Sequence, residues 1–270
     1  MSTVIKNIKK DRVDLNDYLI HFIRDSEEQT AFNVLQNIIN EGYLNCGWSI
    51  REGKKTIFGS KPAVCFTEMP LCSFFDYVTK RADIKKVNNY GIALLTEDLF
   101  IKGARNVIYG TTNETVEKVD NNDNGYLIEY SADATIPERR AFPNKELYRY
   151  MLTKINDTND WTHEREWRWI DSQNKTPQNF CLPIWSYQEA NLPDKEFTDF
   201  RWQTIIIITQ YDDEVPKIQA LLQSKKTNDN FNNDNIVLTK IISREKLMNS
   251  GLPAYFGFRD VLERGLFTQV

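Results

Sequence analysis

Two glutamates separated by one residue, Glu164 and Glu166, open the segment EREWRWI and are the clearest sign of chemistry in this sequence. The alternation of the segment predicts a strand on which both carboxylates share one face, roughly 6.5–7 Å apart. Like charges at that spacing repel unless a cation, solvent or a ligand compensates them. Such a pair suits glycosyl chemistry, because one carboxylate stabilises an oxocarbenium-like centre while its neighbour orients or deprotonates an incoming nucleophile.

The same segment also fits a half-exposed sheet surface without a ligand. Trp167 and Trp169 would anchor one face of the strand on the core. Arg168, on the same face as the two glutamates, would neutralise them together with other cations, as ordinary ion-pair surfaces do. The pattern alone leaves both interpretations open.

Two further polar side chains belong to segments that are predicted to be strands. His21 lies in the alternating run 17–24, and Thr67 lies near the end of the short run 62–68. A histidine beside leucine and isoleucine is commonly a satisfied core residue, and threonine suits a strand by propensity alone. The functional hypothesis is a neutral imidazole that hydrogen-bonds a ribose or an amide, with the Thr67 hydroxyl pointing into the same cleft.

The elements that must position these residues are strands mixed with helices. Ser26 and Gln29 form a capping-box pattern before an apolar helical stripe that ends at Gly42, and Pro70 suits the first turn of a second helix. The remaining predicted elements are strands at 89–95, 105–109, 204–209 and 235–242, a helix at 144–155 and a surface loop at 111–125. Strands outnumber helices and several pair only with distant segments, so the predicted fold class is α+β.

Length and composition limit the class of protein. The chain has 270 residues, a formal net charge of −4 and 12% aromatic residues, enough for a large core, and we expect an arm at 1–16 and a single domain at 17–270. The aliphatic run 205–208 is far shorter than the roughly 20 residues that span a bilayer, and the N-terminus has no signal-peptide pattern, which together favour a cytoplasmic protein without a membrane partner.

Cysteine, histidine and glycine patterns exclude several common chemistries. The four cysteines lack C-x-x-C spacing and only two histidines are present, which argues against a zinc site. No dinucleotide-fold, P-loop or serine-hydrolase motif occurs. The near-neutral charge argues against a general nucleic-acid binder, although the basic residues of the loop at 45–61 leave a local nucleic-acid contact open.

The order of short motifs resembles a known family. The series YLIHFIR, EGYL, CFTEMPL, YGIALL, GARNVIY and EREWR resembles the bacterial abortive-infection family called AbiGi over most of residues 17–245. The same order is similar to the ADP-ribosyltransferase fold, with DarT-type phage-defence toxins as functional analogues. The resemblance implies an ADP-ribosyltransferase-like split β-sheet core flanked by helices, followed by a C-terminal β-α-β tail.

The resemblance also implies an activity. It is NAD-dependent mono-ADP-ribosylation, a glycosyltransferase reaction, by an antiphage toxin that uses NAD as co-substrate and needs no metal. Glu166 would be the catalytic glutamate, and Glu164 would assist the acceptor. Two alternatives remain: an NAD glycohydrolase, in which water replaces the acceptor, and a non-catalytic binding or antitoxin component of a phage-defence system.

Five residues are implied as contacts of NAD. His21 would be the contact on the first strand, and Thr67 would supply the hydroxyl of the middle strand. Arg51 would meet the phosphates, and Tyr77 or Tyr90 would stack on nicotinamide. The first-strand residue is histidine rather than arginine and no Ser-Thr-Ser triplet follows the middle strand, so the acceptor stays open among RNA, DNA and protein. The presence of a cognate antitoxin and the oligomeric state also stay open.

Overall fold

The computed structural model of this protein describes residues 16–51, 54–81, 83–84, 87–110, 114–119, 125–130, 138–141, 144–152, 164–171, 180–186 and 201–270. These residues form two compact units. The first comprises the described residues of Met1–Leu44, Phe66–Lys102 and Pro183–Val270, and the second those of Asn45–Cys65 and Gly103–Leu182. The arm predicted for 1–16 lies, up to residue 15, outside the described residues, and the single domain at 17–270 stays a prediction.

Strands and helices alternate irregularly along the chain, as in a mixed α/β protein. The strands are β1 (Tyr18–Ile23), β2 (Tyr43–Asn45), β3 (Ile50–Arg51), β4 (Lys54–Lys55), β5 (Val64–Thr67), β6 (Tyr90–Leu95), β7 (Arg105–Asn106), β8 (Ile108–Gly110), β9 (Glu114–Val119), β10 (Gly125–Tyr130), β11 (Glu138–Ala141), β12 (Tyr150–Leu152), β13 (Glu166–Trp169), β14 (Cys181–Pro183), β15 (Ile205–Thr209), β16 (Thr239–Ser243) and β17 (Thr268–Gln269). The helices are α1 (Ala31–Glu41), α2 (Leu71–Arg81), α3 (Thr96–Ile101), α4 (Val215–Lys225), α5 (Asn233–Val237), α6 (Arg244–Asn249) and α7 (Phe258–Glu263).

A mixed sheet with the strand order β17-β16-β15-β6-β1-β5 forms the centre of the first unit. β15 and β16 pair in parallel, and the other neighbours that have a defined register pair antiparallel. All five residues of β15 are buried, as expected for an isoleucine run that is covered on both faces. The sheet and its helices agree with the predicted α+β class.

Helices flank this sheet. α2, α6 and α7 contribute Phe74, Leu247 and Phe258 to one hydrophobic cluster, which also contains Ile20 of β1 and Ile206 of β15. α1 contacts β6, α4 contacts β16, and the two helices contact each other. β15 and β16 are parallel and are joined by α4 and α5, so the chain has the predicted C-terminal order of strand, helix and strand with α5 as an additional helix.

Local capping decides where α1 begins. The Thr30 side chain accepts a hydrogen bond from the Asn33 backbone N–H at 3.3 Å, so α1 starts at Ala31. Ser26 accepts from the Gln29 N–H at 2.9 Å in a separate turn before the helix, and the predicted cap at Ser26 was therefore one turn too early. Gly42 ends the helix with φ of 82°, as predicted for a residue that must be left-handed.

The second unit is built from short strands. One sheet of this unit has the strand order β5-β13-β7, to which β5 contributes only its N-terminal residues. β8 pairs in parallel with β12. β9, β10 and β11 form an antiparallel three-stranded sheet, and β3 pairs with β4. β13 holds the tryptophan-rich segment of the sequence analysis.

Four predicted elements differ from the structure. The loop expected at 45–61 contains the two-residue strands β3 and β4, which pair with each other. The loop expected at 111–125 contains strand β9. The described residues of the helix expected at 144–155 form a 3-10 helix (Asn144–Arg149) followed by β12, and residues 153–155 lie outside the described part of the chain. The strand expected at 235–242 begins as α5, which Asn232 caps by accepting from the Asn235 N–H at 3.1 Å, and only then continues as β16. Strand pairing decides the structure at 114–119 and at 150–152, and the cap at Asn232 decides it at 233–237.

Candidate functional site

The two glutamates do not lie on one regular strand. β13 begins at Glu166, and Glu164 precedes it. Between them Arg165 has φ of 47°, the sole positive φ of a non-glycine residue in the described part of the chain. A left-handed conformation costs a residue with a Cβ about 1–2 kcal/mol, so the strict alternation predicted from Glu164 to Ile170 is wrong before Glu166. Backbone strain of this kind concentrates at functional sites, although it does not identify a function by itself.

Arg168 holds the carboxylate of Glu166 through both oxygens. Its Nε donates to Oε1 at 2.8 Å and its Nη2 donates to Oε2 at 3.2 Å, the fork geometry that suits guanidinium and carboxylate. Arg168 is 1% exposed and Glu166 is 8% exposed, so the pair is buried. The prediction of a half-exposed ion pair is therefore wrong about exposure, but it is right that Arg168 pairs with Glu166.

Arg168 is itself fixed by main-chain carbonyls. Its Nη1 donates to Tyr148 O at 2.6 Å and to Tyr150 O at 3.2 Å, at the end of the 3-10 helix and the start of β12. Burial alone would lower the pKa of Arg168, but the adjacent Glu166 carboxylate outweighs it and the pKa is raised. The guanidinium therefore stays charged and fixed at any physiological pH.

The main chain of Glu166 is held from both sides by the segment 107–109. The Glu166 N–H donates to the phenolic oxygen of Tyr109 at 2.8 Å, and the Glu166 carbonyl accepts from the Val107 N–H at 2.8 Å. The Tyr109 contact satisfies the N–H that the turn at Arg165 presents at the first position of β13. Side chain and backbone of Glu166 are thus both fixed.

Tyr109 and Cys65 lie within the electrostatic reach of both glutamates. Burial, followed by the charges of Glu166 and Glu164, raises the pKa of Tyr109 to about 12, against the lowering effect of the Glu166 N–H. Burial and then the Glu166 charge raise the pKa of the Cys65 thiol well above its usual range, and Glu164 adds to the effect. Cys65 is therefore a protonated thiol rather than a nucleophile.

These contacts bring five groups together in the second unit: two buried carboxylates, one guanidinium, one phenol and one thiol. Glu164 is 9% exposed and Glu166 is 8% exposed. Buried carboxylates accept hydrogen bonds and favour positive charge nearby, so the cluster suits a ligand that donates hydrogen bonds or develops positive charge. The sequence analysis found Glu164, Glu166 and Arg168 but missed Tyr109, for which only its place at the end of GARNVIY was a signal.

His21 and Thr67 lie in the first unit, on neighbouring strands but on opposite faces. Thr67 of β5 is directly opposite Ile20 of β1, so these two side chains share a face and His21 points to the other. The half-buried His21 ring instead meets Phe66, with centroids 5.8 Å apart. Thr67 is 2% exposed and its hydroxyl accepts from the Met69 N–H at 3.2 Å. The expectation that His21 and Thr67 point into one cleft is wrong.

The two tyrosines that were expected to stack on nicotinamide have different surroundings in the first unit. Tyr90 is 5% exposed and its hydroxyl donates to Glu214 Oε1 at 2.6 Å, which makes it part of the core. Tyr77 is half-buried, its ring stacks on Phe22 with centroids 6.3 Å apart, and its hydroxyl accepts from Arg81. Tyr77 is the more accessible of the two.

Arg51, the expected phosphate contact, ends β3 in the second unit. Its side chain lies outside the part of the chain that the structure describes.

Two properties of the described residues bear on ligands and membranes. Within the described ranges, no group of three or more histidine, cysteine, aspartate or glutamate side chains is arranged to hold a metal ion. None of the helices in those ranges is both long and apolar enough to span a bilayer. Comparison with known proteins found no matching family model, no matching curated protein and no matching solved structure.

Proposed function

We propose that this chain is an NAD-dependent mono-ADP-ribosyltransferase that acts as a toxin in antiphage abortive infection, within the AbiGi-like group that its motif order resembles. The observation that carries the proposal is the Glu166 carboxylate, which Arg168 fixes through both oxygens beside a second buried acid, Glu164. Fixed charge in a water-poor site stabilises a developing cation more than the same charge in solution does.

Glu166 serves as the fixed anion in this proposal. A carboxylate has about four lone-pair sites, so the fork of Arg168 leaves acceptor capacity for a ribose hydroxyl. The bond between C1′ of the ribose and the nicotinamide nitrogen breaks, and nicotinamide leaves with the bonding electron pair as a neutral molecule. The oxocarbenium-like centre that remains is stabilised by the negative charge of Glu166.

Glu164 acts as the general base for the incoming nucleophile in this proposal. The acceptor attacks C1′ with a lone pair, and its proton passes to the Glu164 carboxylate. The left-handed residue Arg165 interrupts the strand alternation between the two acids, and the proposal gives them different positions around one centre. The acceptor class stays open among RNA, DNA and protein, and so does the presence of a cognate antitoxin.

The proposed NAD contacts in the first unit change because the expected residues lie on two different faces of β1 and β5. His21, half-buried, stays the proposed contact of the first strand. Tyr77 stacks on Phe22, which lies on the face of β1 opposite His21, and Tyr90 is buried, so neither tyrosine is kept as the stacking partner of nicotinamide. Thr67 becomes a structural residue because its hydroxyl already accepts from Met69. Arg51 stays the proposed phosphate contact. An ADP-ribosyltransferase-like split sheet is the fold proposed within the observed α+β class.

The test uses purified protein with NAD labelled separately on adenylate and on nicotinamide. Transfer of the adenylate label to RNA, DNA or protein of a cell lysate, with release of nicotinamide, is expected. Nicotinamide release without transfer would instead indicate a glycohydrolase. Replacing Glu166 by Gln should lower the rate about 10²-fold or more, the scale of one lost pre-organised electrostatic contact.

Glu166→Gln leaves the charge of Arg168 buried without a carboxylate partner, which could unfold the protein. A second variant therefore separates loss of activity from loss of the fold. The double variant E166M/R168M replaces the ion pair by apolar side chains of similar volume, which often leaves stability unchanged. Glu214→Gln is the matched control, since Glu214 is a buried acid that accepts hydrogen bonds in the first unit. Full activity in folded E166M/R168M would contradict the proposal.

One observation favours a second candidate, a non-catalytic binding or antitoxin component. Both oxygens of Glu166 are already bound by Arg168, as in buried ion pairs that only shape a fold. Absence of NAD binding by calorimetry, together with no toxicity on expression, would favour this candidate over the enzyme.

A further inference from the structure

Tyr109 has a hydroxyl hydrogen that the proposed function does not use. Its oxygen accepts from the Glu166 N–H at 2.8 Å. Among the described residues, the hydroxyl forms this hydrogen bond as an acceptor and none as a donor. Tyr109 is half-buried, so that hydrogen is left for solvent or a ligand beside two buried carboxylates.

We infer that Tyr109 is a ligand-contacting donor that makes this site specific for a neutral hydroxyl group of a sugar, an inference that rests on the proposed function and deepens it. A hydroxyl group both donates and accepts hydrogen bonds. It can donate to Glu166 or Glu164 while it accepts from Tyr109. An ammonium group satisfies the carboxylates but offers Tyr109 no lone pair, and a phosphate is repelled by the acids.

The charge state of Tyr109 supports this role. Because burial and the two neighbouring acids raise its pKa to about 12, the phenol keeps its hydrogen at neutral pH. It is therefore a donor under all physiological conditions. An ionised carboxylate can only accept hydrogen bonds, so the ligand hydroxyl donates to Glu166 or Glu164 and accepts from Tyr109.

The position of Tyr109 is fixed by the same segment that fixes Arg168. Tyr109 on β8 is paired with Met151 on β12, and the carbonyls of Tyr148 and Tyr150 bind the guanidinium. The donor Tyr109 and the acceptor Glu166 are thus both tied to residues 148–151. A donor and an acceptor that are held at a constant separation bind a ligand without losing side-chain conformational entropy.

The test compares Tyr109→Phe with Tyr148→Phe, a matched control that removes a phenolic oxygen from the same part of the second unit. Binding is measured by calorimetry with NAD and with analogues that lack the 2′- or the 3′-hydroxyl of the nicotinamide ribose. Methyl β-D-ribofuranoside is the third probe, followed by protein NMR shifts of the Tyr109 and Glu166 resonances. Unfolding in urea is measured in parallel.

We expect Tyr109→Phe to weaken NAD binding roughly three- to tenfold, the size of one neutral hydrogen bond, while Tyr148→Phe leaves it unchanged. For one of the two deoxy analogues, wild type and Tyr109→Phe should bind equally, since the partner hydroxyl is already absent. Loss of stability alone would weaken all probes alike and so cannot produce that pattern.

The outcomes separate the two proposals. If NAD reacts but Tyr109→Phe behaves like Tyr148→Phe, the function stands and the role of Tyr109 is overturned. If NAD does not bind but the riboside shifts resonances in wild type and not in Tyr109→Phe, the transferase proposal fails and the sugar-hydroxyl site stands. If neither NAD nor the riboside shows dependence on Tyr109, the inference about Tyr109 is wrong.

Discussion

Arg168 binds both carboxylate oxygens of Glu166, the residue two positions earlier on the same strand, at 2.8 and 3.2 Å. Because alternate residues of a strand share a face, Glu166 and Arg168 can pair without a contact between distant segments of the chain. What makes it unusual is burial: Arg168 is among the largest fully buried side chains of the described residues. A buried pair costs desolvation free energy and is retained only where its geometry is good.

The first prediction concerns this pair. Arg168→Met should lower the free energy of unfolding by about 3–5 kcal/mol, because it leaves the Glu166 charge buried without its partner. The double variant E166M/R168M should recover most of that loss. Urea unfolding of the four proteins in a double-mutant cycle measures it. Additive effects, with the double variant as unstable as the sum of the single ones, would show that the two side chains do not act as a pair.

A second prediction concerns the turn at Arg165. With φ of 47°, Arg165→Gly should be about 1 kcal/mol more stable than Arg165→Ala, because glycine adopts this conformation without a Cβ clash. Comparing glycine with alanine removes the contribution of the arginine side chain from the result. Lys240 lies inside β16, and there we expect the opposite order, with Lys240→Gly less stable than Lys240→Ala. The same sign at both positions would contradict a left-handed Arg165.

Alkaline pH supplies a third prediction. The folded-state pKa of Tyr109 is raised from its ordinary value of 10.0 to about 12, chiefly by burial. Its contribution to stability is therefore fully present below about pH 10 and is lost as pH rises from there through the folded pKa. Wild type should lose stability relative to Tyr109→Phe above about pH 10, while the difference between them stays constant from neutral pH to about pH 9.

Urea unfolding of both proteins across this pH range measures the difference. Other tyrosines with raised pKa values, such as Tyr18, are present in both proteins and cancel. A difference that is unchanged up to pH 11 would mean that Tyr109 titrates normally.

The fourth prediction separates His21 from Thr67. Because Thr67 is buried and accepts from the Met69 N–H, Thr67→Val should lower the free energy of unfolding by about 1 kcal/mol and leave NAD affinity unchanged. His21, half-buried on the other face, should behave in the opposite way: His21→Ala weakens NAD binding with a smaller effect on stability. Calorimetry and thermal unfolding on the same samples test both. Reduced NAD affinity in a stable Thr67→Val protein would restore the original role of Thr67.

Local patterns were enough to predict much of the first unit. The apolar stripe and Gly42 predicted α1 up to its end, and the isoleucine run predicted β15, because 3.6-residue and two-residue periods report which face is buried. The start of α1 was misplaced because Ser26 and Thr30 both carry the chemistry of a cap, and only the contact with Asn33 chooses between them.

The candidate site was predictable only in part, for the same kind of reason. Glu164, Glu166 and Arg168 are neighbours in the chain, so their residue types and spacing were enough to predict a charged cluster. The tertiary structure decided three further points: that Arg165 turns out of the strand, that Arg168 is buried under the carbonyls of Tyr148 and Tyr150, and that Tyr109 joins the cluster. Tyr109 is 57 residues away from Glu166 in sequence, and contacts of that range depend on how distant strands pair rather than on any local period.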